Sequence, residues 1–157
     1  MKGAITMANT SVFNIAKYFL SKSKPGTEQA ITHLKLQKLV YYAQGYYAGL
    51  IGELLFDENL EAWPHGPVCP ALYKEYKAHS YHEIPPEPFS ENNIDESVGN
   101  FLDAIWQVYG KYSGPELEEM THQETPWIKA RQNFSGKTIA FCDIKIYFKN
   151  IIDNVEG

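Results

Sequence analysis

The sequence is short of cysteine, of long apolar runs and of positive charge. Two cysteines, Cys69 and Cys142, make neither a disulfide framework nor a metal cluster. They read as free, buried thiols. No segment reaches the roughly 20 apolar residues that a membrane span needs. Met1 to Met7 carries one lysine and no apolar stretch of signal-peptide length. The expected compartment is therefore the cytoplasm, with no membrane partner. Fourteen Lys and Arg stand against 19 Asp and Glu, a net charge of −5. The basic residues are dispersed, and no helix rich in Arg, Asn or Gln stands out. That composition argues against nucleic-acid binding, which rests on clustered cations.

Catalytic signatures are missing as well. Gly136-Lys137-Thr138 has the ending of a phosphate-binding loop, but Arg131 stands where that loop needs a glycine. His122-Gln123-Glu124 resembles half of a zinc deaminase site, yet only Cys142 lies downstream of it. His65 with Cys69, and His79 with His82, supply two ligands each, whereas a catalytic zinc needs three. There is no Gly-x-Ser-x-Gly elbow. The expectation is a non-enzymatic protein without cofactor or metal.

What the chain does have is aromatic residues, 14% of the total and led by 11 tyrosines. At 157 residues these give one domain enough material for a core. Apolar residues recur at helical spacing over Val12–Lys22, over Leu36–Leu50 behind a Thr32 cap, over Ala71–Ala78, and from about Asn93 to Tyr109. Ser113-Gly114-Pro115-Glu116 has the form of a capping box, opening a helix to about Thr121. Thr125-Pro126 starts another, and Asp143 caps a last one carrying Ile144, Tyr147, Phe148 and Ile151. Lys137–Phe141 is ambiguous, with an extended conformation open to it. The fold class predicted is mainly α, a compact multi-helix single domain over residues 10–153, with a small β-hairpin near residues 54–63. Residues 1–9 are expected to be a flexible segment, with Met7 as natural a start as Met1.

The connector Leu55 to Pro70 is shaped rather than slack, because Gly66, Pro64, Pro67 and Pro70 fix its backbone and Trp63 offers a packing anchor. Before it, Tyr41, Tyr42, Tyr46 and Tyr47 crowd one helix so densely that a single stripe cannot hold them all. They read either as a helix packed on two sides or as part of a partner-binding face.

Four segments carry a resemblance. Leu34-Lys35-Leu36-Gln37-Lys38-Leu39-Val40-Tyr41-Tyr42-Ala43-Gln44-Gly45 resembles the signature helix of the Panacea antitoxin domain, the phage-associated, SocA-like family. Leu55-Phe56-Asp57-Glu58, Glu61-Ala62-Trp63 and His65-Gly66-Pro67-Val68 resemble its second signature. Leu117 with Thr121-His122-Gln123-Glu124-Thr125-Pro126-Trp127 resembles its third, and Ile146-Tyr147-Phe148 its closing helix. Pro64 and Cys69 depart from the family pattern.

The resemblance implies an antitoxin of a type II toxin–antitoxin system that neutralises a cognate protein toxin by direct binding. It implies as an alternative an adaptor that tethers a client, a protease among its partners. The residues alone leave a third option, an enzyme using His122 and Glu124 with His65. Tyr41, Tyr42, Tyr46, Trp63, His65, Gly66, Pro67 and Val68 are the expected partner contacts, so far as they are exposed. Leu36, Gln37, Lys38, Gln44, Glu61, Thr121, His122, Glu124, Pro126 and Trp127 are the expected structural signature.

Overall fold

A computed structural model describes residues 10–90, 93–134 and 136–156. The expected flexible segment 1–9 lies outside the described residues. The chain runs α1 (Val12–Leu20), α2 (His33–Ile51), β1 (Glu61–Trp63), β2 (Gly66–Val68), α3 (Pro70–Tyr76), a 3-10 turn (Lys77–His79), α4 (Glu96–Tyr109), α5 (Gly114–Thr121), α6 (Thr125–Arg131) and α7 (Phe141–Glu156).

Local chemistry sets the helix starts. The Ser11 hydroxyl accepts from the Asn14 amide at 3.2 Å, and the Thr32 hydroxyl from Lys35 at 3.3 Å. Ser113 and Glu116 complete the capping box reciprocally. Gly52 ends α2 with φ 85°, a conformation that costs glycine little. The last helix begins at Phe141, two residues before the expected Asp143 cap. Asp143 instead sits in its first turn and accepts from Lys129 at 3.0 Å.

Helix α2 is the axis of the molecule. It is buried on every side along most of its length, under α1, α3, α4, α5, α7 and the hairpin. This is why its sequence shows no clean polar stripe. The closest crossing is with α7. A Cβ on Gly45 would stand 2.2 Å from the Phe148 ring, and one on Gly49 would stand 2.9 Å from the Lys149 backbone nitrogen. Two glycines one turn apart thus let the helix backbones approach.

The strands lie at 61–63 and 66–68, antiparallel, pairing Glu61 with Val68 and Trp63 with Gly66. The expected location, 54–63, reached too far back. Leu55 and Phe56 bond to the Gln44 side chain of α2 and to the Thr10 amide instead of a ladder. Pro67 is tolerated because β2 is paired on one side only. The outer edge of β1 is closed by the ambiguous segment after α6, where Ala62 donates to Lys137 at 2.7 Å and Ile139 donates to Leu60 at 2.8 Å. The extended reading of that segment is the one realised, over a short bridge.

Candidate functional site

The connector between α2 and α3 makes few regular hydrogen bonds, yet much of its backbone is buried. Leu55, Phe56 and Cys69 have no exposure at all. Buried peptide groups require partners, and α2 supplies them through three side chains. Gln44 accepts from the Leu55 amide at 2.8 Å and donates to the Phe56 carbonyl at 2.8 Å. Gln37 accepts from the Cys69 amide at 2.8 Å. The Lys38 ammonium donates to the Pro67 carbonyl at 3.1 Å. Leu36, one residue before Gln37 on the helix, is fully buried in the core. The polar members of the first signature thus act as surrogate strand partners for the second.

The hairpin also packs against α5 and α6. Gly66 has φ 105°, and a Cβ there would fall 2.6 Å from Lys38 Cε and 2.8 Å from the Thr121 hydroxyl. Trp127 donates its indole N–H to the Trp63 carbonyl at 2.8 Å. His122 stacks on Trp127 with ring centroids 4.3 Å apart, and its Nε2 donates to the Pro64 carbonyl at 3.0 Å. Arg131 donates to the Ala62 carbonyl at 3.1 Å. Glu61 accepts from the Trp63 indole at 2.8 Å. Pro126 is buried in the first turn of α6, where its missing N–H costs nothing.

Glu124 stands at the N-cap position of the same helix, but its side chain makes no capping bond and is buried in the core instead. Its two oxygens accept from the Tyr41 and Tyr42 hydroxyls, each at 2.8 Å. Burial pushes its carboxyl up to about 7, opposed by those two hydrogen bonds. Burial and the neighbouring carboxylate push both tyrosines well above the usual phenol range. Burial likewise brings Lys38 down to about 7 against the pull of Glu118. His33 is lowered to about 4, chiefly by burial, so its Nε2 accepts from the Gln37 amide nitrogen at 2.9 Å.

Tyr41 and Tyr42 are 0% and 1% exposed. They belong to the core, not to a surface that a partner meets. Tyr46 is half-buried, bonded to the Tyr109 hydroxyl at 2.9 Å, and borders a shallow cleft with Leu50 and Val108, on α2 and α4. Gly66, Pro67 and Val68 are buried as the inner strand of the hairpin. Trp63 is half-buried and His65 is exposed, its Nδ1 3.2 Å from Glu118. The possible acid–base residues are therefore committed elsewhere: Glu124 to tyrosines, His122 to a carbonyl, His65 to Glu118. Among the described residues no three of His, Cys, Asp and Glu gather to hold a metal ion, and no helix is long and apolar enough to cross a membrane.

Beside the hairpin lies a groove of about 570 Å³. Its floor is α2 at His33, Gln37 and Lys38, and its walls include Trp63, Tyr73, Lys77, Tyr81 and Glu118. The sequence reading missed His33, Tyr73, Lys77 and Glu118 as lining residues, and it missed Lys38 as a buried lysine. Only the lack of a polar stripe on α2 signalled the burial.

Antitoxin SocA of Caulobacter vibrioides (strain NA1000 / CB15N) is 26% identical over 109 residues, which cover 62% of this chain and 58% of that protein. The chain thus spans less than two-thirds of the length of the curated relative it matches. No solved structure matches. Apart from Arg131, the residues that fasten the hairpin to α2, α5 and α6 lie within the segment 36–128, which matches the model for the antitoxin SocA-like Panacea domain, and the chain belongs to that family.

Proposed function

We propose that this chain is an antitoxin of a type II system, neutralising a protein toxin by direct binding across the face that carries the hairpin and its groove. The observation behind this reading is the way the signature residues are used. Gln37, Lys38, Gln44 and Trp127 spend their polar groups on holding a short, irregular connector in one shape, and Glu124 ties the start of α6 to α2 through Tyr41 and Tyr42. A rigid connector beside an aromatic groove is a preorganised surface, and preorganisation lowers the ordering cost of association. An acidic chain with tyrosine and tryptophan at that surface suits protein recognition. The family description and the SocA relative point the same way.

Co-expression tests the reading. The product of an adjacent reading frame is expressed alone and together with this chain. Growth arrest by the neighbour, relieved by this chain and accompanied by a captured complex, supports neutralisation by binding. Relief of arrest without a complex, or with loss of the toxin protein, contradicts direct binding and favours delivery for degradation.

A further inference from the structure

The groove has a chemical character that narrows what fills it. Three rings run across it in sequence. His33 and Tyr73 have centroids 5.1 Å apart, and Tyr73 and Trp63 have centroids 5.1 Å apart. Tyr73 is 38% exposed and Tyr81, at the far lip, is 80% exposed. The Trp63 indole N–H is spent on Glu61, so the ring offers a face and not a donor.

Charge is distributed unevenly along the lips. Glu118 on the α5 wall is engaged by His65 at 3.2 Å. Lys77 is exposed, and among the described residues it makes no ion pair. Lys77 is thus an exposed cation at the groove, which also holds the Glu118 carboxylate, on a chain whose net charge is −5.

The backbone beside Lys77 is strained. Ser80 has φ 54° and ψ −129°, the one positive φ outside glycine among the described residues. It forms the corner of a turn closed by His82 donating to the His79 carbonyl at 3.0 Å. A conformation that suits glycine is held there by serine, and the next residue, Tyr81, is projected over the groove. Strain of this kind gathers at ligand clamps.

We propose that this groove takes an extended segment of the partner protein, with apolar or prolyl residues laid across the His33–Tyr73–Trp63 rings and an acidic side chain set against Lys77. The proposal rests on the neutralisation reading above, and supplies the chemistry of the contact. Extended and polyproline segments suit ring-lined grooves because they carry no internal hydrogen bonds and pack their residues between aromatic faces. The free cation at the lip selects a carboxylate and fixes the direction in which the segment lies.

Random linear peptides displayed on phage, panned on the purified full chain, test this separately from toxin capture. The expected result is enrichment of sequences with apolar or prolyl residues near an aspartate or glutamate. Tyr73→Ala and Lys77→Glu then each weaken the selected peptides by about tenfold or more. Both sites are solvent-facing, and circular dichroism confirms the fold. Replacing the selected acidic residue by lysine restores binding to Lys77→Glu. No enrichment, or binding that survives both substitutions, overturns the groove assignment while leaving toxin neutralisation standing. Self-association of the wild-type chain that Tyr73→Ala abolishes overturns it in favour of a second copy as the occupant.

Discussion

Gly66 lies so close to Lys38 that a Cβ at residue 66 would stand 2.6 Å from the lysine Cε. The glycine also holds φ 105°. Two independent constraints therefore meet at one position, the left-handed backbone and the space occupied by a buried lysine. Gly66→Ala is expected to destabilise the fold by about 2–4 kcal/mol, from backbone strain and overpacking together. Urea unfolding measures it. A change smaller than about 0.5 kcal/mol, within the range of ordinary surface substitutions, would show that the hairpin is not pressed onto α2.

The α2–α7 crossing makes a parallel prediction away from the groove. Gly45→Ala would place its methyl 2.2 Å from the Phe148 ring. The ring is fully buried and has little room to retreat. The expected cost is about 2–3 kcal/mol, read as a drop in thermal midpoint. Toxin affinity per folded molecule should stay unchanged, because the groove lies elsewhere on α2.

Glu124 gives a pH dependence of known sign. Burial raises its carboxyl from 4.5 to about 7. Below about pH 4.5 the folded and unfolded chains both hold the proton, and the contribution to stability is full. Between 4.5 and 7 the folded chain keeps a proton that the unfolded chain has released, so stability falls as pH rises. Above 7 the loss is complete, of order 3 kcal/mol. His33 works in the opposite direction over nearly the same window, since burial lowers it from 6.5 to about 4. The two contributions therefore oppose each other, and a difference measurement is needed. Glu124→Gln keeps the shape and an acceptor for one tyrosine but cannot titrate. Relative to this variant, the wild type should lose stability between pH 5 and pH 7. A difference that is constant with pH would contradict the buried-carboxyl account.

Trp127 and Trp63 are joined by one indole-to-carbonyl hydrogen bond. Trp127→Phe keeps a ring against His122 but leaves the Trp63 carbonyl without its donor. The expected cost is about 1–2 kcal/mol. Amide exchange at Ala62 and Gly66 should quicken more than in α7. Uniform acceleration across the molecule would mean that Trp127 supports the whole core and not the hairpin in particular.

Helix positions and caps were legible because their signals are local. Thr32, Ser113 and Gly52 each stop or start a helix through bonds to residues nearby in the chain. The hairpin was legible as a shaped connector but not in register. Its strands are three residues each, and Pro64–His65 forms the turn between them. The buried lysines were not legible. Lys35 donates to the Gly110 carbonyl at 2.6 Å and Lys38 to Pro67, partners 75 and 29 residues away. A pairing set by tertiary approach leaves no periodic trace. The same holds for Tyr41 and Tyr42, whose partner Glu124 lies more than 80 residues downstream. Sequence crowding marked those tyrosines as unusual, and only the fold separates them from Tyr73 on the surface.

The measurement that tests the central claim most directly is the affinity of the proposed toxin partner for two tyrosine variants of this chain, each with its thermal midpoint. Tyr73→Ala removes a surface ring, whereas Tyr41→Phe removes a core hydroxyl from Glu124. The account predicts that Tyr73→Ala binds toxin about tenfold or more weakly at an unchanged midpoint, and that Tyr41→Phe lowers the midpoint while its folded fraction binds normally. Undiminished affinity in Tyr73→Ala, or lost affinity in fully folded Tyr41→Phe, would contradict it.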